Sequence, residues 1–242
     1  MKTTENPYEI NITSFYHYID KADTLIENYK RDLLLFRGQS ENKPLLPAIA
    51  RKKPKIDTES IEKEMLTEFE RRSQVLTEKR FNNDWETIVY AQHFGLKTRL
   101  LDWTSNPLVA LWFTCIDERF MNQNSYVYVL LTSKSLFLDT NKENNPFDLE
   151  ETKVIKPTIN NARLVAQSGW FTAHQYSTKD KQFVSLEKNE EYNGRFWKIV
   201  IPHQEKKEII KKLNLFGVSY QTMYPDVTGL CKQINLEFQQ RT

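Results

Sequence analysis

The sequence predicts an α+β fold, with a mixed or antiparallel sheet core and flanking helices. Three observations lead there. Helix-spaced and strand-like apolar segments both occur, but they do not alternate as strictly as a doubly wound parallel sheet requires. After about residue 125 the apolar segments are mostly strand-like. The hydrophobic share is 39% of 242 residues, enough to build a sizeable core without disulfide or metal staples. No internal repeat and no Pro/Gly/Ser-rich linker divides the chain. Residues 1–242 therefore read as one domain, with a core at about 30–235 and an N-terminal helix at about 13–29.

The elements follow in order. Phe15, Tyr18, Ile19, Ala22, Leu25 and Ile26 have helical spacing, with Thr13 or Ser14 as the cap. Leu33-Leu34-Leu35-Phe36 is a short apolar run and predicts a buried strand ending at Arg37-Gly38. Residues 40–57, rich in Pro and Lys, predict an exposed loop. Ile61, Met65, Phe69, Arg72 and Leu76 mark a helix whose charged side is expected to face solvent. Asp84 is the expected cap of a helix through Trp85, Ile88, Val89 and Gln92, with Gly95 just past its C-terminal end. Thr98–Trp103 predicts a strand. Asn106-Pro107 combines a capping Asn with Pro at the first helical position. The helix that follows, from Leu108 to Ile116, is apolar nearly all round and should be buried. Asn141–Pro146 reads as a loop. Tyr126–Leu131, Trp170–Ala173 and Phe196–Ile201 predict strands. Ile209, Ile210 and Leu213 lie on a basic helix, and Pro225-Asp226-Val227 starts a last short one through Leu230 and Ile234.

Composition narrows the function. The balance of 34 basic and 32 acidic residues gives no global argument for nucleic-acid or membrane binding. Six glycines are too few for a Gly-rich phosphate loop. Two cysteines, Cys115 and Cys231, exclude a disulfide scaffold and a four-thiolate zinc site, and both read as inert residues of helices. No metal site is expected, since neither His-x-x-x-His nor Cys-x-x-Cys spacing occurs. The apolar runs are short of the ~20 residues that span a bilayer, and the start MKTTENPYEI has no signal-peptide apolar region. A soluble, cytoplasmic protein without a membrane partner is the expectation.

Four clusters set polar groups among large apolar ones. In Phe36-Arg37-Gly38-Gln39, a guanidinium leaving a buried strand needs either a carboxylate, with Asp102 the candidate, or an anionic ligand. Gly38 lets another backbone or a ligand approach closely. The segment Gln92–Pro107 embeds His93, Arg99, Asp102, Thr104 and Asn106 among apolar residues, and polar groups so placed need hydrogen-bond partners. A lone His at a helix end is more often a cap or satisfied core residue than a catalyst. In Arg163–Phe171, Gln167 can both donate and accept, although a turn before a strand explains it equally. In Tyr224–Leu230, Asp226 sits in a first helical turn, where a carboxylate is favourable without any function.

Together these clusters resemble the FRG domain, a bacterial family named for its Phe-Arg-Gly motif. Phe36-Arg37-Gly38-Gln39 carries the name. Gln92-His93-Phe94-Gly95 through Thr98–Thr104, with Asn106-Pro107, Ala110-Leu111 and Phe113, matches the family's longest motif. Arg163, Gln167, Gly169 and Phe171 match a third, and Tyr224-Pro225-Asp226 with Gly229-Leu230 matches a C-terminal one. Lys97 stands where the family usually has proline.

A weaker resemblance is to ADP-ribosyltransferases, which implies a related sheet fold and NAD as substrate. In those enzymes an Arg leaves a first strand, a Ser-Thr-Ser strand leads into a helix, and a third element carries a glutamate. Arg37, Thr104-Ser105 and Gln167 take these places here, with Gln where the glutamate would be. The resemblance implies Arg37 and Gln167 as catalytic candidates, and Asp102 is added as the carboxylate that would supply the charge Gln167 lacks if the fold brings it near. For NAD binding the resemblance points to Arg37, Thr104 and Ser105, to which the polar clusters add Gln39, His93 and Arg99 as candidates. The function so implied is an effector of the toxin or antiphage kind that modifies a protein or nucleic-acid acceptor. Two other classes stay open: a non-catalytic module sensing a nucleotide or phosphorylated ligand, and a nucleic-acid binder using Lys52-Lys53, Lys55, Lys206-Lys207 and Lys211-Lys212.

Overall fold

A computed structural model describes residues 8–52, 57–139, 143–158 and 161–239. The fold is α+β. Its strands are β1 (Tyr8–Asn11), β2 (Leu34–Gln39), β3 (Leu100–Thr104), β4 (Ser125–Leu131), β5 (Lys153–Ile155), β6 (Gly169–Ala173), β7 (Tyr176–Ser177), β8 (Gln182–Phe183) and β9 (Phe196–Ile201). Its helices are α1 (Phe15–Asn28), α2 (Thr58–Ser73), α3 (Asp84–His93), α4 (Pro107–Cys115), α5 (Ala162–Ala166), α6 (Lys206–Leu215), α7 (Tyr220–Met223) and α8 (Val227–Gln239). Seven strands form one mixed sheet in the order β1-β9-β4-β2-β3-β6-β5, with β7 and β8 as a separate hairpin. Among the described strands of the large sheet, β1 and β9 pair in parallel and the other ladders run antiparallel.

Strand alternation sends side chains to two covered faces. Leu34, Phe36, Val127, Val129, Ile199 and Ile201 pack against α1, α4 and α6. Leu35, Tyr128, Leu130 and Phe196 face a second core with Leu45, Leu186 and Tyr192. A third cluster joins α2 and α3 to β3 and β6 through Leu66, Trp85, Ile88, Leu100 and Phe171. Both faces being covered explains why the strands read as continuous apolar runs.

Local signals account for most element ends. Ser14 caps α1, and Asn106 caps α4 by accepting from Leu108 N and Val109 N, with Pro107 next. Tyr18 of α1 donates its hydroxyl to Pro107 O at 2.7 Å, tying α1 to the start of α4. Gly95, at φ +94°, takes the left-handed conformation that ends α3.

Several expectations need correction. The cap of α3 is Asn83, whose side chain accepts from Glu86 N, and Asp84 is already inside the helix. The helix α2 starts earlier, capped by Asp57, and ends before Leu76, which is exposed. Its charged side is not wholly solvated: Glu62 is fully buried. The 40–57 segment is not simply exposed either, because Leu45 and Ile49 enter the core; its residues 53–56 lie outside the described ones. Asn141 and Lys142 of the expected 141–146 loop also lie outside them. The strand expected from Thr98 begins at Leu100: Thr98 donates its hydroxyl to Gln92 Oε1 and Arg99 N donates to the Glu62 carboxylate, while Arg99 O still accepts from His174 N just past β6. Short elements β1, β5, α5 and α7 carry too few apolar positions for a periodic signal.

Candidate functional site

The ladder between β2 and β3 is limited to one pair, Phe36 with Thr104. Beyond it Arg37 reaches across and donates Nη1–H to the main-chain oxygen of Asp102 at 2.7 Å. A cleft of about 360 Å³ opens at this place. Its lining draws on all four sequence clusters: Phe36, Arg37 and Gly38 from β2; Gln92 and His93 from the end of α3, with Asp102, Trp103 and Thr104 from β3; Arg163 and Gln167 at α5; and Tyr224. Ala110 and Phe113 of α4 and Gly169, Trp170 and Phe171 of β6 complete much of the wall.

Arg37 is the central cation. Its side chain is only 13% exposed. Burial lowers its pKa to about 10, with Asp102 acting in the opposite sense, so it stays charged at neutral pH. Its partners are weak for a buried guanidinium: the Asp102 carbonyl, Gln39 Oε1 at 3.4 Å, and the Asp102 carboxylate no closer than 4.0 Å. The expected Arg37–Asp102 pair thus runs mainly through the backbone. The carboxylate itself is 62% exposed and accepts from Gln92 Nε2 at 3.3 Å. Among the described lining residues, Asp102 is the one carboxylate.

The cleft is built by turns locking into one another. Thr104 donates its hydroxyl to Gln167 O at 2.7 Å and accepts from Asn106 N at 3.0 Å. Ser105 N donates to Ser168 O at 3.1 Å. Ser168 adopts φ +46°, a left-handed conformation uncommon for a non-glycine residue, and turns the chain from α5 into β6. Gln167 donates Nε2–H to Met223 O at 3.1 Å. Behind the wall, Trp103 Nε1–H donates to Thr172 Oγ1, and the Thr172 hydroxyl faces His174 Nε2 at 3.3 Å. His174 Nδ1 then donates to Val184 O, a neutral ring that burial drives down to a pKa of about 3.

The structure therefore gathers Arg37, His93, Asp102, Thr104 and Gln167 on one cleft. His93 is half-buried, and burial together with the positive charge of Arg163 pulls its pKa below the usual value. Thr104 is buried, and its proton is committed to Gln167 O, so it fastens the cleft together. Gln39 sits beside the cleft, bridging Arg37 to Lys43 O. Ser105 is exposed and outside the lining.

Arg99 is the clear correction among the binding candidates. It is 1% exposed and held by Glu62, Glu59 and Pro146 O, so its charge is used to pin α2 and the 146–148 turn to β3. A guanidinium so enclosed is not available to a ligand. Arg163, Trp170 and Tyr224 are lining residues that sequence did not single out as binding candidates. The only signal was their place in motifs whose ordinary turn and cap readings were sufficient.

Two cysteine and lysine expectations also divide. Cys115 is buried, and burial raises its pKa to about 12, whereas Cys231 is exposed. Lys206 is no part of a basic patch: it is buried and donates to Phe120 O at 2.6 Å. Lys53 and Lys55 lie outside the described residues. Among the described residues no group of three or more His, Cys, Asp and Glu side chains is placed to hold a metal ion, and no helix is long and apolar enough to cross a membrane.

Residues 32–123 match the family model described as the FRG domain. No curated protein and no solved structure matches the chain. The matched span contains the first two motif clusters, and the fold adds the other two to the same cleft. The Phe36-Arg37-Gly38 strand end thus lies within the segment that matches the FRG-domain model, and the cleft beside it draws its remaining wall from residues beyond that segment.

Proposed function

We propose that the cleft is a nucleotide site in which Arg37 holds a phosphate, and that NAD is the nucleotide it takes. The observation that carries this reading is the Arg37 guanidinium, largely buried in the cleft with no carboxylate of the described residues closer than 4.0 Å. A buried cation without a close carboxylate is favourable for an anion that can accept in a fork. Trp170, Phe171, Phe113 and Tyr224 give the cleft aromatic walls suited to a base or a nicotinamide ring.

The chemistry proposed is cleavage of the nicotinamide–ribose bond. The bond between ribose C1′ and the nicotinamide nitrogen breaks, and nicotinamide leaves with the electron pair. Water or an acceptor nucleophile forms the new bond to C1′ and releases a proton. Asp102 is the carboxylate available to steady the cation that develops on the ribose. Gln167 has its amide oxygen to offer a ribose hydroxyl, its nitrogen being used by Met223 O. With a protein or nucleic-acid acceptor the reaction is ADP-ribosyl transfer, the activity of an effector of the toxin or antiphage kind. With water it is NAD hydrolysis.

A second reading is recognition of a nucleotide without chemistry. It is favoured by the neutral Gln167 and by the solvent exposure of Asp102, which weakens its field. Nicotinamide release by the purified protein, with and without cell extract, separates the readings when run beside calorimetric NAD binding. Turnover that disappears in a folded Arg37→Ala variant supports the enzyme. Binding lost in that variant, with no nicotinamide from the native protein, supports the sensor. Normal NAD binding by folded Arg37→Ala removes the site from both.

A further inference from the structure

The cleft has a second arginine, and the chain goes to some length to aim it. Arg163 donates Nη2–H to Asp226 Oδ2 at 3.1 Å, and its guanidinium lies 4.8 Å over the Tyr224 ring. Asp226 is fixed in turn, because its Oδ1 accepts from Gly229 N at 2.9 Å at the start of α8. Gly229 makes this packing feasible: a Cβ there would overlap Tyr224 O and lie 2.8 Å from Tyr224 Cβ. The Tyr224-Pro225-Asp226 and Gly229 motif is thereby converted from a helix start into a mount for Arg163. Gln167 ties the same two segments together a second time through Met223 O.

We infer that Arg163 is a second anion-binding arm of the cleft, and that the ligand carries two linked phosphate groups, one for Arg37 and one for Arg163. The inference rests on the nucleotide-site reading above and names the ligand class that reading requires. Arg163 and Arg37 enter the cleft from different elements, α5 and β2, and each offers its own fork of donors. The lining holds two guanidinium groups against the single carboxylate of Asp102. The Asp226 partner is no obstacle, since Arg163 and Asp226 are 32% and 44% exposed and such pairs contribute about 0–1 kcal/mol. A phosphate oxygen joins the remaining N–H donors of the fork, or displaces the carboxylate, with a stronger charge-assisted bond. Burial lowers the His93 pKa, and the positive charge of Arg163 adds to that lowering.

The test is calorimetric titration of the whole chain with ADP and with AMP, using the native protein, Arg163→Gln and Arg163→Lys, with thermal melting as the check on folding. The native protein is expected to bind ADP about tenfold or more tightly than AMP, as one charge-assisted bond implies. Arg163→Gln should bring ADP down to the affinity of AMP and leave AMP unchanged, and Arg163→Lys should recover part of the difference. Equal losses for ADP and AMP in a folded Arg163→Gln overturn the second arm. Equal binding of ADP and AMP by the native protein overturns it while leaving the Arg37 site intact. Failure of the native protein to bind either nucleotide removes the nucleotide-site reading, and this inference with it.

Discussion

Substituting Gly38 by alanine tests how the cleft is built. Gly38 lies in β2 where α4 crosses the sheet. A Cβ built there would overlap Ala110 O and stand 2.5 Å from Thr114 Oγ1 and 2.7 Å from Thr114 N. Two of these three atoms are backbone of α4, so no rotamer change relieves the clash. Either the sheet or α4 must shift, and α4 is held by the Tyr18–Pro107 bond and by a core of buried Val109, Leu111 and Trp112. Overpacking of a tight site costs about 1–3 kcal/mol, and backbone contact on both sides puts this one near 3 kcal/mol. For a chain of this size that lowers the melting midpoint by roughly 6–12 °C. Since α4 carries Ala110 and Phe113 into the cleft beside Arg37, binding of the proposed nucleotide should weaken in the same variant. Urea unfolding and differential scanning calorimetry give the stability, and calorimetric titration gives the binding. A midpoint within about 2 °C of the native protein would refute the close-approach argument for Gly38.

Other consequences are as definite. Glu62→Gln removes the charge that Arg99 is buried against while Glu59 remains, and should destabilise the protein by about 3 kcal/mol in urea unfolding. An unchanged urea midpoint would show that Glu59 alone satisfies Arg99. His174 has a folded pKa of about 3 against an ordinary 6.5, so between these values the unfolded chain binds the extra proton and stability falls as pH falls. The slope is about 1.4 kcal/mol per pH unit in that window, and His174→Gln should lack it; parallel pH profiles would contradict the buried neutral ring. Cys231 should react rapidly with a thiol reagent in the native state and Cys115 only after unfolding, because one is exposed and the other is buried with a raised pKa. Two fast-reacting thiols in the folded protein would rule this out.

Much of the site was legible as composition of motifs and little of it as geometry. Arg37 is conspicuous because a guanidinium after Leu34-Leu35-Phe36 has to find an anion or a polar partner. Arg99 satisfies the same description, following Thr98 ahead of Leu100-Leu101, yet its partners are Glu59 and Glu62 from a helix some forty residues earlier. The two arginines differ only in what the distant chain brings to them. Asp226 likewise reads as an ordinary carboxylate in a first helical turn, and it is one, until Arg163 arrives from α5.

By itself the sequence determined what depends on near neighbours. The cap and proline at Asn106-Pro107, the left-handed stop at Gly95, the all-round apolar α4 and the extent of β9 all follow from spacing within a few residues. Tertiary structure decided the strand order, the burial of Glu62 and Lys206, and the meeting of four motifs on one cleft. Those outcomes depend on pairings across tens to nearly two hundred residues, such as β1 with β9. The free energy of such contacts is set by which groups lose water together, and local periodicity does not encode that.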